Sequence, residues 1–196
     1  MRPEALDAAI YASKAEGAVP FFVGATAGTT VLGAFDPIEA IADICEQHGL
    51  WFHIDGAWGG SALMSDKLRH LLAGCERADS FAWDQHKMMG LPLVCSTILF
   101  RQRGLLAQMN HVGGSDYIFH ETGVETDLGP LSLQCGRRVD ALKLWLAWKD
   151  KGDAGWGRMV DSYMELADYL ESKISLNILP LKKSKKSFQG GYLEVK

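Results

Sequence analysis

Apolar residues in the first half of the chain fall into short runs that predict an alternation of helices and strands. Residues 3–16 are helix-like, with Pro3 near the start and Gly17 as a stop. PFFVGAT, 20–26, and LWFHID, 50–55, are short apolar runs that end at glycine-rich turns, as buried strands do. Two further strand candidates cover 80–83 and 96–100.

A helix is predicted between the first two strands. Asp36 and Pro37 are expected as its N-cap and first residue, IEAIADICEQH follows at helical spacing, and Gly49 should end it. A strand, a helix and a strand joined by short links form a βαβ unit, so the two strands should be parallel with a right-handed crossover. The fold class is therefore α/β, and residues 26–30 and 55–60 should face one crevice at the carboxyl edge of the sheet.

The chain changes character after residue 104. The stretch 104–130 is rich in glycine and polar residues and predicts a mobile loop. Two helices should follow, over 137–151 and 155–174, with a break at Gly152 and Asp153. The first of them is expected to be well buried, because it carries the apolar residues Val139, Leu142, Leu144, Trp145, Leu146 and Trp148.

Composition places the chain among globular proteins with one sizeable core. It has 196 residues, 47% of them hydrophobic and 22% charged, and a formal net charge of -4. Acidic and basic residues are interspersed, so neither a nucleic-acid nor a membrane partner is expected. The N-terminal residues lack the pattern of a signal peptide, and four cysteines occur without a CxxC pair, which predicts a cytoplasmic location.

Two residues bear the chemistry that this pattern suggests. Asp55 ends a predicted buried strand, where a carboxylate needs a cation or hydrogen-bond donors to compensate it. Lys87 stands in SFAWDQHKMMGLPLVC at the edge of an apolar segment, and desolvation favours the neutral amine that attacks carbonyls. Taken alone, a lysine is usually a surface charge and an aspartate before glycine a turn former. Together they suggest a Schiff-base site.

Pyridoxal phosphate is the cofactor whose needs this combination matches. It requires an amine for its aldehyde, a carboxylate for its ring nitrogen, a small residue against the ring, and hydroxyl or imidazole donors. The chain offers Lys87, Asp55, Ala57, His86 and Thr26 for these tasks.

A metal or nucleotide site is a weaker interpretation. His48, His53 and Asp55 are close in sequence, yet His48 ends a helix and no HExxH or Cys/His set is present. GATAGTT and GAWGG lack both the P-loop GK[ST] and a GxGxxG that opens a helix. No metal ligand is therefore predicted.

Four segments carry a family resemblance: VGATAGTTVLGAFDPI, WFHIDGAWGGSALMS, ADSFAWDQHKMMG and QCGRRVDALKLWLAWKDKG. They resemble the group II pyridoxal-phosphate decarboxylases, which include glutamate, cysteine sulfinate and aromatic amino-acid decarboxylases. The resemblance covers residues 1–174 and implies part of the large domain of a fold-type I pyridoxal-phosphate enzyme, a mostly parallel sheet flanked by helices. Residues 175–196 form an atypical basic tail, expected to be poorly ordered.

The resemblance also implies roles for single residues. Lys87 should form the Schiff base with the cofactor, Asp55 should bind its ring nitrogen, and Ala57 should pack on the ring. His86 should contact the phosphate or substrate region, and Thr26 should lie close to the cofactor.

Three sites in the sequence are compared with the residues usual in the family. Asp84 lies where the family has Asn or Asp near the phosphate. Gln85 replaces the usual proline, which should shift the loop without removing a catalytic group. The loop over 121–129 lacks the tyrosine that governs protonation in the family, and Tyr117 lies before that position, so the proton donor is unassigned.

The expected activity is that of a carboxy-lyase. The resemblance implies decarboxylation of an acidic amino acid, namely cysteine sulfinate, aspartate or glutamate, by a homodimer acting on a small-molecule substrate. Two alternatives remain: a catalytically inactive fragment that acts only through subunit association by helices 137–174, and an aromatic amino-acid decarboxylase.

Overall fold

Four strands form one sheet at the centre of the computed structural model, which describes residues 1–110, 129, 132, 134 and 136–177. In their order across the sheet they are β1 (Phe22–Thr26), β2 (Trp51–Asp55), β3 (Ser80–Asp84) and β4 (Ser96–Phe100). The first three are parallel, and β4 runs antiparallel to β3. The predicted α/β class and the parallel pairing of the first two strands are confirmed.

Among the described residues, four α-helices accompany the sheet: α1 (Pro3–Ala15), α2 (Ile38–His48), α3 (Leu105–Asn110) and α4 (Asp140–Asn177). The link between β2 and β3 contains three short 3-10 turns instead of an α-helix. α3 lies at the start of the stretch predicted to be a loop, so that prediction is wrong for 105–110. The rest of that stretch, with Tyr117, falls almost entirely outside the described residues.

The main core lies between α2 and the sheet. Ile38, Ile41 and Cys45 point from α2 toward Phe52 and Ile54 of β2, and all five are buried. Burial of apolar area of this kind is the dominant favourable term in folding. α2 thus holds the strands whose carboxyl ends carry Thr26 and Asp55.

The start of α2 differs from its prediction. Pro37 occupies the N-cap position, and no side chain caps the helix. The Asp36 carboxylate instead accepts the Thr26 amide hydrogen, with Oδ2 2.8 Å from the nitrogen, so it is already engaged at the end of β1. Gly49 ends the helix in the left-handed conformation (φ 65°), as predicted.

α4 is two helical segments that meet at Gly152, whose backbone (φ 60°, ψ 177°) is not helical. The predicted break is confirmed, but the predicted burial of the first segment is wrong. Trp145 is 55% exposed and Val139 is 74% exposed, whereas Trp156 and Val160 of the second segment are fully buried. Trp156 shares a second core cluster with Met89, Leu91 and Cys95, against which only one face of the first segment packs.

α4 continues past the predicted boundary at residue 174 to Asn177, and the remainder of the predicted basic tail lies outside the described residues. In the part of the chain that is described, no helix combines the length and the apolar character needed to span a bilayer.

Candidate active site

The carboxyl ends of the three parallel strands form the site. Thr26 of β1 pairs in register with Asp55 of β2, and Asp55 pairs with Ala82 of β3. The predicted placement of Thr26 and Asp55 at one edge is confirmed. In open α/β sheets this edge is where ligands bind.

The turn after β2 orients the Asp55 carboxylate. Its Oδ1 accepts the amide hydrogen of Ala57, with 3.0 Å between oxygen and nitrogen, in the short-range pattern that aspartate favours at turns. The amide of Gly56 donates to Ala82 O at 3.0 Å, so the turn is also tied to β3. Asp55 is exposed at the sheet edge, and the turn binds one oxygen of its carboxylate.

Two glycines let the turns after β1 and β2 touch through their backbones, a feature that the sequence predictions missed. The Gly59 amide donates to Ala27 O at 2.9 Å, and a Cβ at Gly59 would lie only 2.5 Å from that oxygen. Gly28 has a positive φ of 80°, and a Cβ there would lie 2.8 Å from Gly59 Cα. The clustered glycines of GATAGTT and GAWGG were the available signal.

Lys87 lies in a tight turn after β3. Its amide donates to Asp84 O at 3.0 Å, and its carbonyl accepts from Gly90 N at 2.9 Å. The ammonium Nζ lies 3.0 Å from Asp84 Oδ2 and 5.8 Å from the ring centroid of Trp58. Trp58 follows Asp55 by three residues, so the structure brings Lys87 to the loop that carries Asp55. Within the described ranges, however, Lys87 forms its ion pair with Asp84 and none joins it to Asp55.

Asp84 is an ionised carboxylate in a partly buried place. Burial opposes its charge, but the Ser96 hydroxyl, the Lys87 ammonium and the His86 ring outweigh burial and hold its pKa below the usual range. His86 Nε2 lies 3.9 Å from the same Oδ2 that pairs with Lys87. One carboxylate therefore connects the two residues of the HK motif.

His86 and Gln85 attach this turn to β4. His86 Nδ1 lies 2.8 Å from Cys95 O and 3.2 Å from the Cys95 amide nitrogen. Gln85 is fully buried, and its Oε1 accepts from the Thr97 hydroxyl at 3.1 Å, while its Nε2 meets no partner among the residues described. Gln85, which stands where the family has proline, thus ties the turn that carries Lys87 to β4 through a buried hydrogen bond.

The three candidate metal ligands do not assemble. His48 Nε2 lies 2.7 Å from Asp7 Oδ1 between α1 and α2, and His53 Nδ1 lies 2.8 Å from Ser80 Oγ inside the sheet. Across 1–110 and the later described residues, no group of three His, Cys, Asp or Glu side chains is arranged to hold a metal ion.

The donor set fits a phosphorylated pyridine aldehyde. The same sheet edge offers an amine at Lys87, a carboxylate already fixed by a backbone hydrogen bond at Asp55, and a hydroxyl at Thr26. Ala57 supplies a small side chain next to Asp55, and the imidazole of His86 lies in the lysine turn. These are the groups that such a cofactor requires.

Comparison with known proteins gives a family match over most of the chain. The pyridoxal-dependent decarboxylase conserved domain matches residues 1–178. Human cysteine sulfinic acid decarboxylase is 53% identical over 173 residues, which are 87% of this chain and 35% of the human protein. The chain therefore spans about a third of the length of the curated relatives it matches.

Solved structures agree with the sequence match. The crystal structure of mouse CSAD in apo form superposes with a TM-score of 0.84 at 47% identity, covering 95% of this chain and 39% of the mouse chain. That of Oryza sativa TDC with PLP and tryptamine gives a TM-score of 0.84 at 30% identity, covering 96% and 39%. The expected fold, part of the large domain of a fold-type I pyridoxal-phosphate enzyme, is confirmed.

Proposed function

The chain belongs to the pyridoxal-dependent decarboxylase family, and we propose that it carries the cofactor-binding centre of a carboxy-lyase that acts on an acidic amino acid. The cofactor of this family is pyridoxal 5'-phosphate. The observation that carries the proposal is the meeting of Thr26, Asp55 and the Lys87 turn at one carboxyl edge of the sheet.

Cysteine sulfinate is the substrate that the relatives favour. The human protein at 53% identity is named cysteine sulfinic acid decarboxylase, whereas Oryza sativa TDC, solved with tryptamine, is 30% identical. Aspartate and glutamate are the other acidic candidates, and an aromatic substrate is the less favoured alternative.

Each residue at the sheet edge would have a separate role in binding the cofactor. Lys87 supplies the amine that binds the cofactor aldehyde covalently. Asp55, with Oδ1 held by the Ala57 amide, keeps the ring nitrogen protonated through its negative charge. When bound, the cofactor supplies electron withdrawal from the substrate Cα, which weakens the bond to the α-carboxylate. Thr26 and His86 would contact the cofactor with hydroxyl and imidazole donors.

Covalent labelling tests this site directly. The chain is mixed with pyridoxal phosphate and reduced with borohydride, and the modified lysine is located by peptide mass spectrometry. We expect the label on Lys87 in the parent chain and its loss in Lys87→Arg, a variant that keeps the positive charge beside Asp84. A label spread over other lysines, with none on Lys87, would contradict the proposed site.

Catalysis is tested by carbon dioxide release from cysteine sulfinate, aspartate, glutamate and tryptophan. Release from an acidic substrate that Lys87→Arg abolishes would support the proposed reaction. Equal release by the parent and Lys87→Arg would show that the mechanism is wrong.

A second candidate function is subunit association without catalysis. It is favoured by the exposed apolar side chains of Val139, which directly precedes α4, and of Leu142, Trp145 and Leu146 on the first segment of α4. The expected homodimer would also use such a surface. A chain that associates in solution but takes no label at Lys87 would favour this candidate over the enzyme.

A cytoplasmic location is proposed on the state of the cysteines. Cys45, Cys75 and Cys95 are all free thiols, as expected in a reducing compartment. Fractionation of cells that express a tagged chain tests the location, and recovery in an oxidising compartment would contradict it.

A further inference from the structure

Lys87 is restrained by the carboxylate of Asp84, for which the resemblance implies a place near the phosphate but no chemical role. The Asp84 Oδ2 to Lys87 Nζ distance is 3.0 Å, and the two side chains are 19% and 28% exposed. At this distance the two groups form a charge-assisted ion pair of ammonium and carboxylate, away from full solvent. An ammonium has no lone pair with which to attack a carbonyl.

We propose that Asp84 is a positioning residue that holds Lys87 as an ion-paired ammonium in the free chain, so that this pair must open before Lys87 captures the cofactor. This inference rests on the proposed function of Lys87. In the step, the pair opens, the ammonium gives one proton to solvent water, and the amine nitrogen adds to the aldehyde carbon. The aldehyde oxygen then leaves as water with the two remaining amine hydrogens, and a carbon–nitrogen double bond remains.

Among the described residues, the groups around this ion pair leave Asp84 as the negative charge that acts on the Lys87 ammonium. His86 Nε2 lies 3.9 Å from the same Oδ2, and the Ser96 hydroxyl of β4 helps to hold the pKa of Asp84 below its usual range. On the other side, Lys87 faces the ring of Trp58, which carries no charge. Asn in place of Asp84 would keep the shape of the side chain and an acceptor for Ser96, and would remove the charge that pairs with Lys87.

Asp84 would also repel the phosphate of the cofactor, and the two effects are separable by the choice of aldehyde. Pyridoxal has the same aldehyde and ring as pyridoxal phosphate and no phosphate. An effect of Asp84 on the amine should appear with both aldehydes, whereas an effect on the phosphate should appear with pyridoxal phosphate alone.

The experiment measures the initial rate of reductive labelling at Lys87 with each aldehyde and cyanoborohydride, from about pH 6 to about pH 10. We expect Asp84→Asn to raise the rate with pyridoxal about threefold near neutral pH, because the ion pair no longer has to open. Asp84→Glu, which restores a carboxylate, should return the curve toward that of the parent. Asp66→Asn is the matched control, because Asp66 is 93% exposed and pairs with Arg69.

Superimposable curves for the parent and Asp84→Asn with pyridoxal would overturn the proposal, and so would an effect confined to pyridoxal phosphate. If Asp84→Asn does not fold, the parent is measured with sodium chloride at about 1 M, which screens the pair and should raise the rate near neutral pH. A rate that salt leaves unchanged would then count against it. Absence of any label at Lys87 in the parent would instead overturn the proposed function.

Discussion

His53 occupies a half-buried place in the sheet that favours its neutral ring. The Ser80 hydroxyl accepts the Trp51 indole N–H at 2.9 Å, so its own hydrogen is available for His53 Nδ1 at 2.8 Å. Burial lowers the pKa of His53, and the nearby charge of Asp55 opposes this only in part. The unfolded chain therefore binds a proton here more readily than the folded chain does.

We expect acid to destabilise the chain through this residue. Because the folded pKa lies below the ordinary value of 6.5, stability is fully present above that value and is lost as the pH falls through it toward the folded pKa. His53→Asn keeps an acceptor for Ser80 and cannot be protonated, so its melting temperature should fall less between about pH 7 and about pH 5. His70→Asn, at an exposed histidine, should follow the parent, and equal slopes for all three would contradict the prediction.

Gly59 is a residue at which one methyl group should disturb the site. A Cβ would lie 2.5 Å from Ala27 O and 2.5 Å from the Phe35 ring, so the turn after Asp55 would have to move away from β1. We expect Gly59→Ala to lower the free energy of unfolding by about 1–3 kcal/mol in urea titrations. Gly24→Ala is the control, because its Cβ would meet only the Phe22 side chain, at 3.3 Å. Equal effects of the two substitutions would show that the turns are not tightly packed.

The positions of residues at the sheet edge could be predicted from the sequence, but the side chains and backbone groups that they contact could not. Thr26 and Asp55 follow apolar runs of strand length, and parallel pairing brings such ends together. The carboxylate that pairs with Lys87 was not foreseen, because Asp84 reaches it only through the conformation of the turn after β3. Asp36 was assigned to the helix after it for the same reason: local spacing does not reveal the competing Thr26 amide.

At the level of elements, α4 offers two tryptophans in opposite environments. Trp156 is fully buried with Met89 and Cys95, whereas Trp145 is 55% exposed. We expect Trp156→Ala to lower the free energy of unfolding by about 3–5 kcal/mol, as loss of a core aromatic side chain does. Trp145→Ala should change it by less than about 0.5 kcal/mol. Comparable losses at both positions would contradict the observed burial of α4.

The misassigned burial of α4 has a physical cause. A run such as VDALKLWLAW shows that a helix is amphipathic, but periodicity does not show how many neighbours cover its sides. Here Leu144 and Trp148 pack on the second core cluster, whereas Val139 and Trp145 are exposed. The break at Gly152 was predictable, since glycine and aspartate together interrupt a helical pattern on their own.

Over the whole molecule, apolar side chains are exposed on both outer strands and on α4. They include Phe22 of β1, Ile98 and Leu99 of β4, and Leu142, Trp145 and Leu146 of α4. Outer strands also present backbone groups that can pair with another chain. A surface of this kind favours association over a monomeric state.

We therefore expect the chain to self-associate, with the first segment of α4 as the contact. In sedimentation velocity, the parent should shift to larger species as its concentration rises, and Trp145→Glu combined with Leu146→Glu should reduce that shift, because each introduced charge would have to be desolvated on association. Val19→Glu, at an 84% exposed position outside α4, makes the same chemical change elsewhere and should leave the shift in place. If Val19→Glu reduced association while the α4 variant did not, the contact would lie near β1. A parent that stays monomeric at every concentration would exclude association through either surface.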